Sequence, residues 1–232
     1  MTLEIHPLLG IGAIASGDDV AAALEPALRS LDPGDGDVVV VTHKIVSKAE
    51  GAVRQIVGDE KEFKKSLVEE IARSIVRRRG DLIIAETKHG FVCANAGVDR
   101  SNAEPGTVIL LPDDPDRSAH RIRVRLRRVF DVDIPVVISD TFGRPWRRGL
   151  TDVAIGLSGL EPILDLIGTK DWTGRELDVT EVAVADELAA AADLVMGKAA
   201  GIPAALVRGY DGPRGAGRAS ELVRPVEEDL FR

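Results

Sequence analysis

The sequence is poor in three features that would point to particular classes of protein: cysteine, aromatic residues and long apolar segments. Cys93 is the single cysteine, which excludes both a disulfide within the chain and a cluster of thiolate metal ligands. Because Cys93 lies in an apolar run, we interpret it as a buried structural thiol and not as a nucleophile. Aromatic residues make up only 3% of the chain, so the core must be built mainly from Val, Leu, Ile and Ala.

The chain also lacks segments that would direct it to a membrane. Its N-terminus has no basic start followed by an apolar stretch of signal length. No segment approaches the roughly 18 consecutive apolar residues of a membrane span. We therefore expect a cytoplasmic protein without a membrane partner. A net charge of −8, from 30 basic and 38 acidic residues, disfavours nucleic acid as a partner.

Strand and helix patterns alternate along the 232 residues, a length that suits one large domain or two small ones. The four consecutive valines at 38–41 predict a buried strand. Apolar residues at four-residue steps predict a charged helix over 59–79, with the arginines at 77–79 at its C-terminal end. Interspersed strands and helices agree with an α+β fold but do not single it out.

The most informative stretch is PVVISDTFGRPWRRGLTDVAIG, residues 135–156. Its first half predicts a buried strand that ends at Asp140 and Thr141, followed by a basic loop over 143–149. Carboxylate and hydroxyl oxygens suit a hard cation such as Mg²⁺, and guanidinium groups suit phosphate or carboxylate. The stretch therefore predicts a site for a metal-bound anionic substrate, although an ordinary polar surface turn explains the same residue types. The loop arginines that are candidates for binding substrate are Arg144, Arg147 and Arg148.

Two further stretches place polar residues after apolar runs. NAGVDRSN at 95–102 contains Asp99, which could converge with Asp140 on one cation, although most aspartates in such loops cap turns and the spacing of 41 residues proves nothing by itself. Lys44 and Lys48 follow the strand at 38–42, a common position for ammonium groups that contact phosphate. Solvated surface lysines would have the same pattern.

Four longer segments resemble the coenzyme F-420-0:L-glutamate ligase family, also called F-420-0 γ-glutamyl ligase. The resemblance runs in consistent order over residues 3–209, and several long motifs carry it together. They are VVVVTHKIVSKAEG (38–51), NAGVDRSN (95–102), ISDTFGRPWRRGLTDVAIGLSGL (138–160) and LDVTEVAVADELAAAADLVMGKAAGIPAALVRG (177–209).

The resemblance implies a ligase of coenzyme F-420 biosynthesis that uses GTP to join L-glutamate to F-420-0. It implies a further γ-linked glutamate and an acyl phosphate on the acceptor carboxylate as the intermediate. The cofactor implied is a divalent metal, Mg²⁺ or Mn²⁺, as two ions, with K⁺ as a further cation. The implied fold is α+β, with mixed β-sheets and flanking helices in two lobes, assembled as an intertwined homodimer. We place the ligase domain at residues 1–210 and a flexible C-terminal arm at 211–232.

The resemblance also assigns roles to residues of this chain, motif by motif. The implied metal ligands are Asp99, Asp140 and, for a second ion, Thr141. The implied GTP contacts are Ile11, Gly12, Ala13, Ile14, His43, Lys44, Lys48 and Asn102. Archaeal members tend to carry a glutamate and extra glycines near 196–202, where this chain has Lys198 and a shorter loop. Two other classes stay open: a non-catalytic nucleotide- and metal-binding module, and a metal-dependent phosphohydrolase.

Overall fold

A computed structural model of the chain describes residues 2–230, so Met1 of the predicted domain and Phe231 and Arg232 of the predicted arm lie outside the described residues. The strands are β1 (Glu4–Pro7), β2 (Val38–Thr42), β3 (Val53–Gln55), β4 (Ser74–Arg79), β5 (Leu82–Glu86), β6 (Val92–Ala94), β7 (Thr107–Ile109), β8 (Val136–Arg144), β9 (Arg147–Ser158), β10 (Leu164–Asp165), β11 (Glu181–Val182) and β12 (Ala204–Arg208). The α-helices are α1 (Val20–Leu31), α2 (His43–Ala49), α3 (Glu60–Ile71), α4 (Pro115–Phe130) and α5 (Val184–Met196). Short 3₁₀ helices cover Asn95–Gly97, Ala219–Leu222 and Val226–Glu228.

The central sheet has five strands in the order β1-β12-β2-β8-β9. Its only parallel pair among the described strands is β2 with β8, in the register Val41 to Ile138. All four valines of β2 are completely buried, as expected for a central strand that is covered on both faces. Helices α4 and α5 pack on β9, and the prediction of a buried strand at 38–41 is confirmed.

A second, smaller hydrophobic cluster lies apart from the central sheet. It packs α3, through Leu67 and Val68, against Ile83 of β5, Val98 and Val108. Strand β5 is the middle strand of the three-stranded antiparallel sheet β4-β5-β6. Helices and several sheets are thus mixed in one chain, which confirms the coarse fold class. The two lobes and the homodimer stay predictions.

The prediction of one helix over 59–79 is wrong. Helix α3 ends at Ile71, because Ala72 adopts an extended backbone (φ −72°, ψ 137°). The chain then enters β4, which pairs antiparallel with β5 and contains the β-branched residues Ile75 and Val76. The arginines at 77–79 therefore lie on an exposed edge strand, where charge discourages pairing with another sheet, and not at the end of a helix.

The prediction of a loop over 143–149 is also wrong. Strand β8 continues to Arg144 and β9 begins at Arg147, so that Pro145 and Trp146 alone form the turn. Trp146 has a positive φ of 63°, the left-handed conformation that tight hairpin turns need. Asp140 and Thr141 consequently lie in the middle of a strand. Across residues 2–230, no helix has both the length and the apolar character to cross a membrane.

Candidate functional site

Helix α2 presents two pairs of residues at four-residue spacing, and each pair shares one side of the helix. His43 and Ser47 are completely buried, and Nδ1 of the ring lies 3.2 Å from the Ser47 hydroxyl oxygen. Lys44 and Lys48 lie on another side and line a cavity. The helix that follows β2 thus separates a buried imidazole from two ammonium groups.

The buried imidazole contacts Asp140 of β8. Nε2 of His43 lies 3.2 Å from Asp140 Oδ1, without the alignment of a hydrogen bond. The same oxygen accepts a hydrogen bond of 2.7 Å from the amide of Thr141. Oδ2 of Asp140 accepts no hydrogen bond from residues 2–230. One oxygen of this carboxylate is therefore held in place and the other is available as a ligand.

Asp99 is held by Lys44, the neighbour of His43 in the chain. Lys44 Nζ lies 3.0 Å from Asp99 Oδ2, and Ser101 donates from its hydroxyl to Oδ2 (2.6 Å) and from its amide to Oδ1 (2.8 Å). Burial raises the pKa of Asp99, but the hydrogen bonds from Ser101 and the charge of Lys44 outweigh it and lower the pKa to about 2. Asp99 is therefore ionised, and both predicted metal ligands contact the first turn of α2.

Thr141 belongs to a different group of polar side chains from Asp140, because consecutive strand residues point to opposite faces of a sheet. It lies directly across from Asp152 in the register of β8 and β9. The Thr141 hydroxyl donates to Asp152 Oδ1 at 2.6 Å, and Ser139, two residues earlier, donates to Oδ2 at 2.9 Å. Asp152 is only 2% exposed, so these hydrogen bonds compensate a buried carboxylate.

Lys198 completes this group. Its Nζ donates to Thr141 Oγ1 at 2.7 Å and to Asp152 Oδ1 at 2.6 Å, and forms an ion pair of 2.7 Å with Asp193 Oδ1. Burial lowers the pKa of the Lys198 ammonium, but its bonds to Asp152 and Asp193 outweigh burial and raise the pKa above the usual range. The lysine is therefore charged.

Segments from across the chain surround a cavity of about 180 Å³. It brings together most of the predicted GTP contacts with the group around Lys198. The lining includes Ile11, Gly12, Ala13, Ile14, Lys44, Lys48, Asn102, Thr141, Asp152, Asp193 and Lys198. The side chains of His43, Asp99 and Asp140 do not line it.

Three polar residues of the lining, Thr42, Lys48 and Asn102, have no side-chain partner within residues 2–230. The ammonium of Lys48 forms no ion pair there, in contrast to Lys44 and Lys198, and the side chain of Asn102 forms no hydrogen bond. Asn102 sits at a positive φ of 59°, which holds it in a turn directly after Asp99. The cavity therefore has an uncompensated positive charge and a free amide, both suited to phosphate or base oxygens.

Asp99 and Asp140 are the candidate ligands for one divalent ion. No group of three or more His, Cys, Asp or Glu side chains in the described part of the chain is placed to hold a metal. Mg²⁺ commonly binds through one or two carboxylates, with substrate phosphates and water as its other ligands. Asp140 brings a free oxygen to that pattern, whereas Asp99 would have to exchange its contacts with Lys44 and Ser101 for the ion. Thr141 does not fit a second ion, since its hydroxyl already bonds Asp152 and Lys198.

The remaining candidates lie elsewhere. The three arginines of the β8–β9 hairpin are exposed at its tip, none lines the cavity, and Arg144 donates to the backbone oxygen of Arg148 at 2.7 Å. Their role as substrate ligands stays a prediction. Cys93 is buried, as predicted, and burial, together with the nearby charge of Asp140, raises the pKa of its thiol to about 12.

Sequence reasoning missed two residues of the site, Asp152 and Asp193, and noted Lys198 only as a departure from archaeal members. The predicted loop over 143–149 hid Asp152, because it would pair Asp152 with Asp140, whereas the shorter observed turn pairs it with Thr141. Asp193 gave no signal, since it reads as an ordinary charge on an Ala-rich helix.

Comparison with known proteins identifies the family. A family model described as F420-0:Gamma-glutamyl ligase matches residues 9–209. The coenzyme F420:L-glutamate ligases of Methanopyrus kandleri and Methanothermobacter thermautotrophicus are 45% and 44% identical to this chain, over 100% of it and 98% and 100% of their own lengths. That of Archaeoglobus fulgidus is 40% identical, over 100% of this chain and 97% of its own. The chain therefore belongs to the F420-0:gamma-glutamyl ligase family.

Proposed function

We propose that this chain is a GTP- and divalent-metal-dependent ligase that joins the amine of L-glutamate to the lactyl carboxylate of F-420-0. A second glutamate is then added through a γ-linkage. The observation that carries the proposal is the cavity. Loop 11–14, Asn102 and three lysines line it together, and the lysines outnumber the two aspartates of the lining. The names of the relatives support glutamate and the deazaflavin coenzyme as the substrates.

The cavity suits the phosphate part of a nucleotide. Lys48 has no carboxylate partner among the described residues, so a triphosphate adds charge compensation instead of breaking an ion pair. Gly10, directly before the cavity-lining loop 11–14, has a left-handed φ of 77°, a conformation that glycine adopts without strain. A volume of about 180 Å³ is below that of a typical whole-ligand pocket, so it encloses only part of GTP.

A first divalent ion would be held by Asp99 and Asp140, next to the cavity that Lys44, the ion-pair partner of Asp99, lines. Bound there, it would neutralise charge on the transferred phosphoryl group. His43 has a supporting role, because its buried ring lies against Oδ1 of Asp140, the oxygen that the Thr141 amide bonds, and Oδ2 stays free. Lys44 has a similar role at Asp99 and also lines the cavity.

The proposed reaction has two steps. A carboxylate oxygen of F-420-0 attacks the γ-phosphorus of GTP, the bond from that phosphorus to the β–γ bridging oxygen breaks, and GDP leaves. The amine of L-glutamate, after losing its proton, attacks the acyl carbon, and the carbon–oxygen bond breaks to release phosphate. Neither step needs a covalent enzyme nucleophile, in agreement with the burial of Cys93.

Mass spectrometry after incubation with GTP, Mg²⁺, L-glutamate and F-420-0 tests the proposal. We expect a glutamyl adduct and one GDP per bond formed. Asp140→Asn should fold but lose at least about 100-fold in turnover, because a neutral amide binds Mg²⁺ poorly. Asp81→Asn is the matched control. It removes an exposed carboxylate that does not line the cavity, and it should keep full turnover.

The other classes give different products. Intact GTP without an adduct indicates a non-catalytic binding module, and loss of phosphate without an adduct indicates a phosphohydrolase. Either result would contradict the ligase proposal, and unchanged turnover of Asp140→Asn would rule out a metal role for that residue. The homodimer and the cytoplasmic location belong to the same proposal.

A further inference from the structure

Lys198 puts a positive charge where the resemblance implies a second divalent ion. Its Nζ lies 2.7 Å from Thr141 Oγ1, 2.6 Å from Asp152 Oδ1 and 2.7 Å from Asp193 Oδ1. Two carboxylates and a hydroxyl are oxygen ligands that a hard cation would take. In this chain the three oxygens surround an ammonium group.

While the ammonium holds these three oxygens, it leaves no room for a divalent ion at this position. Mg²⁺ binds oxygen at about 2.0–2.1 Å, so an ion bound by these three oxygens would sit in the space that Nζ fills. Charge leads to the same conclusion. Before nucleotide binds, Asp152 and Asp193 carry two negative charges, Lys198 neutralises one, and a divalent ion beside it would bring three positive charges against two negative ones.

We propose that the ammonium of Lys198 is a built-in cation that replaces the second divalent ion, so that the chain takes one divalent ion with its nucleotide. This inference rests on the proposed nucleotide-binding function, because Lys198 lines the same cavity as Lys44 and Lys48. Because the ammonium belongs to the chain, its positive charge is present whenever the nucleotide binds and does not depend on the concentration of free metal. Lys198 is therefore a nucleotide-binding residue whose charge stands in for a metal.

Three variants separate the effects of charge and space. Lys198→Ala removes the ammonium and leaves Thr141, Asp152 and Asp193 around an open position, which an added Mn²⁺ can fill. Lys198→Met removes the charge but keeps an unbranched chain of similar length over the same oxygens. Lys65→Ala, in exposed surroundings on α3, controls for the loss of a positive charge elsewhere.

Bound Mn²⁺ is counted per chain by electron paramagnetic resonance, with and without a non-hydrolysable GTP analogue. With the analogue we expect one ion for the wild type, Lys198→Met and Lys65→Ala, and two for Lys198→Ala. Without nucleotide, Mn²⁺ should raise the Tm of Lys198→Ala more than that of the wild type. The reason is that the ion replaces the lost partner of the buried Asp152.

Two Mn²⁺ ions per wild-type chain would overturn the inference. A folded Lys198→Ala variant that binds no more Mn²⁺ than the wild type would overturn it too. If Lys198→Ala does not fold, the wild-type count decides, with one ion in support and two against. Failure of the proposed function looks different, since the wild type then binds no GTP analogue while Lys198→Ala still gains an Mn²⁺.

Discussion

Nε2 of His43 lies 3.2 Å from Oδ1 of Asp140, and no part of the imidazole reaches solvent. The contact joins the first residue of α2 to the middle of β8. These elements meet because β2, which leads into α2, is the parallel neighbour of β8. The register of this parallel pair therefore places the imidazole beside the carboxylate. We infer that His43 acts by positioning Asp140.

His43→Gln should lower both stability and turnover. Without the ring, the Ser47 hydroxyl and Asp140 each lose a contact. The free energy of unfolding, measured in urea, should therefore fall by about 1–3 kcal/mol. Turnover should fall about 10- to 100-fold, as when a group supporting a metal ligand is removed, while the Kd for GTP stays unchanged. His6→Gln on β1 is the control and should change stability by less than about 0.5 kcal/mol. A weaker GTP affinity with normal turnover would contradict the positioning role.

Asp99 should stabilise the fold in a pH-dependent way. Its pKa is about 2 in the folded chain against an ordinary 3.8, so its contribution is complete above pH 3.8 and is lost as pH falls toward 2. The carboxylate is partly exposed, so solvent screening reduces the contribution to about 1 kcal/mol.

Urea unfolding of Asp99→Asn and the wild type without metal, from pH 7 to pH 3, measures this contribution. The difference between the two should be constant down to about pH 4 and then shrink. Asp81→Asn, which loses an exposed ion pair with Lys61, serves as the control and should show a much smaller difference. A difference for Asp99→Asn that grows as the pH falls would have the wrong sign.

Lys48→Ala should weaken GTP binding without weakening the fold. Lys48 forms no ion pair in the part of the chain that the structure describes, so its removal breaks no contact there. Loss of one charge-assisted contact to phosphate corresponds to about a 10- to 100-fold higher Kd in calorimetric titration. Lys65→Ala should leave the Kd unchanged. Equal affinities of Lys48→Ala and the wild type would remove Lys48 from the nucleotide site.

Local patterns predicted the buried strands of the central sheet. Four valines in a row at 38–41 and the run VVIS at 136–139 fit a strand covered on both faces, and no helix of that length is stable alone. Periodicity failed at Ile75, which continues the four-residue spacing of α3 and yet lies in β4. Pairing with β5 decides that segment, and the sequence of the segment alone does not contain that information.

Residues of the site that belong to the family's motifs could be predicted from the sequence. Contacts between segments that are distant in the chain could not. Loop 11–14, Lys44, Lys48 and Asn102 were assigned from the resemblance, and the structure brings them to one cavity. Lys198 bonds residues 57 and 46 positions away, Thr141 and Asp152. Such contacts depend on how α5 packs against β9, which no local pattern encodes.

The most direct test of the account follows oxygen from F-420-0. The coenzyme precursor is labelled with ¹⁸O in its acceptor carboxylate and incubated with the wild-type chain, GTP, Mg²⁺ and L-glutamate. An acyl phosphate requires that one labelled oxygen leaves with phosphorus, so we predict one ¹⁸O in the phosphate released for each amide formed at the labelled carboxylate, and none from addition of the second glutamate. Formation of the first amide with unlabelled phosphate, or with GTP intact, would contradict the proposed activation.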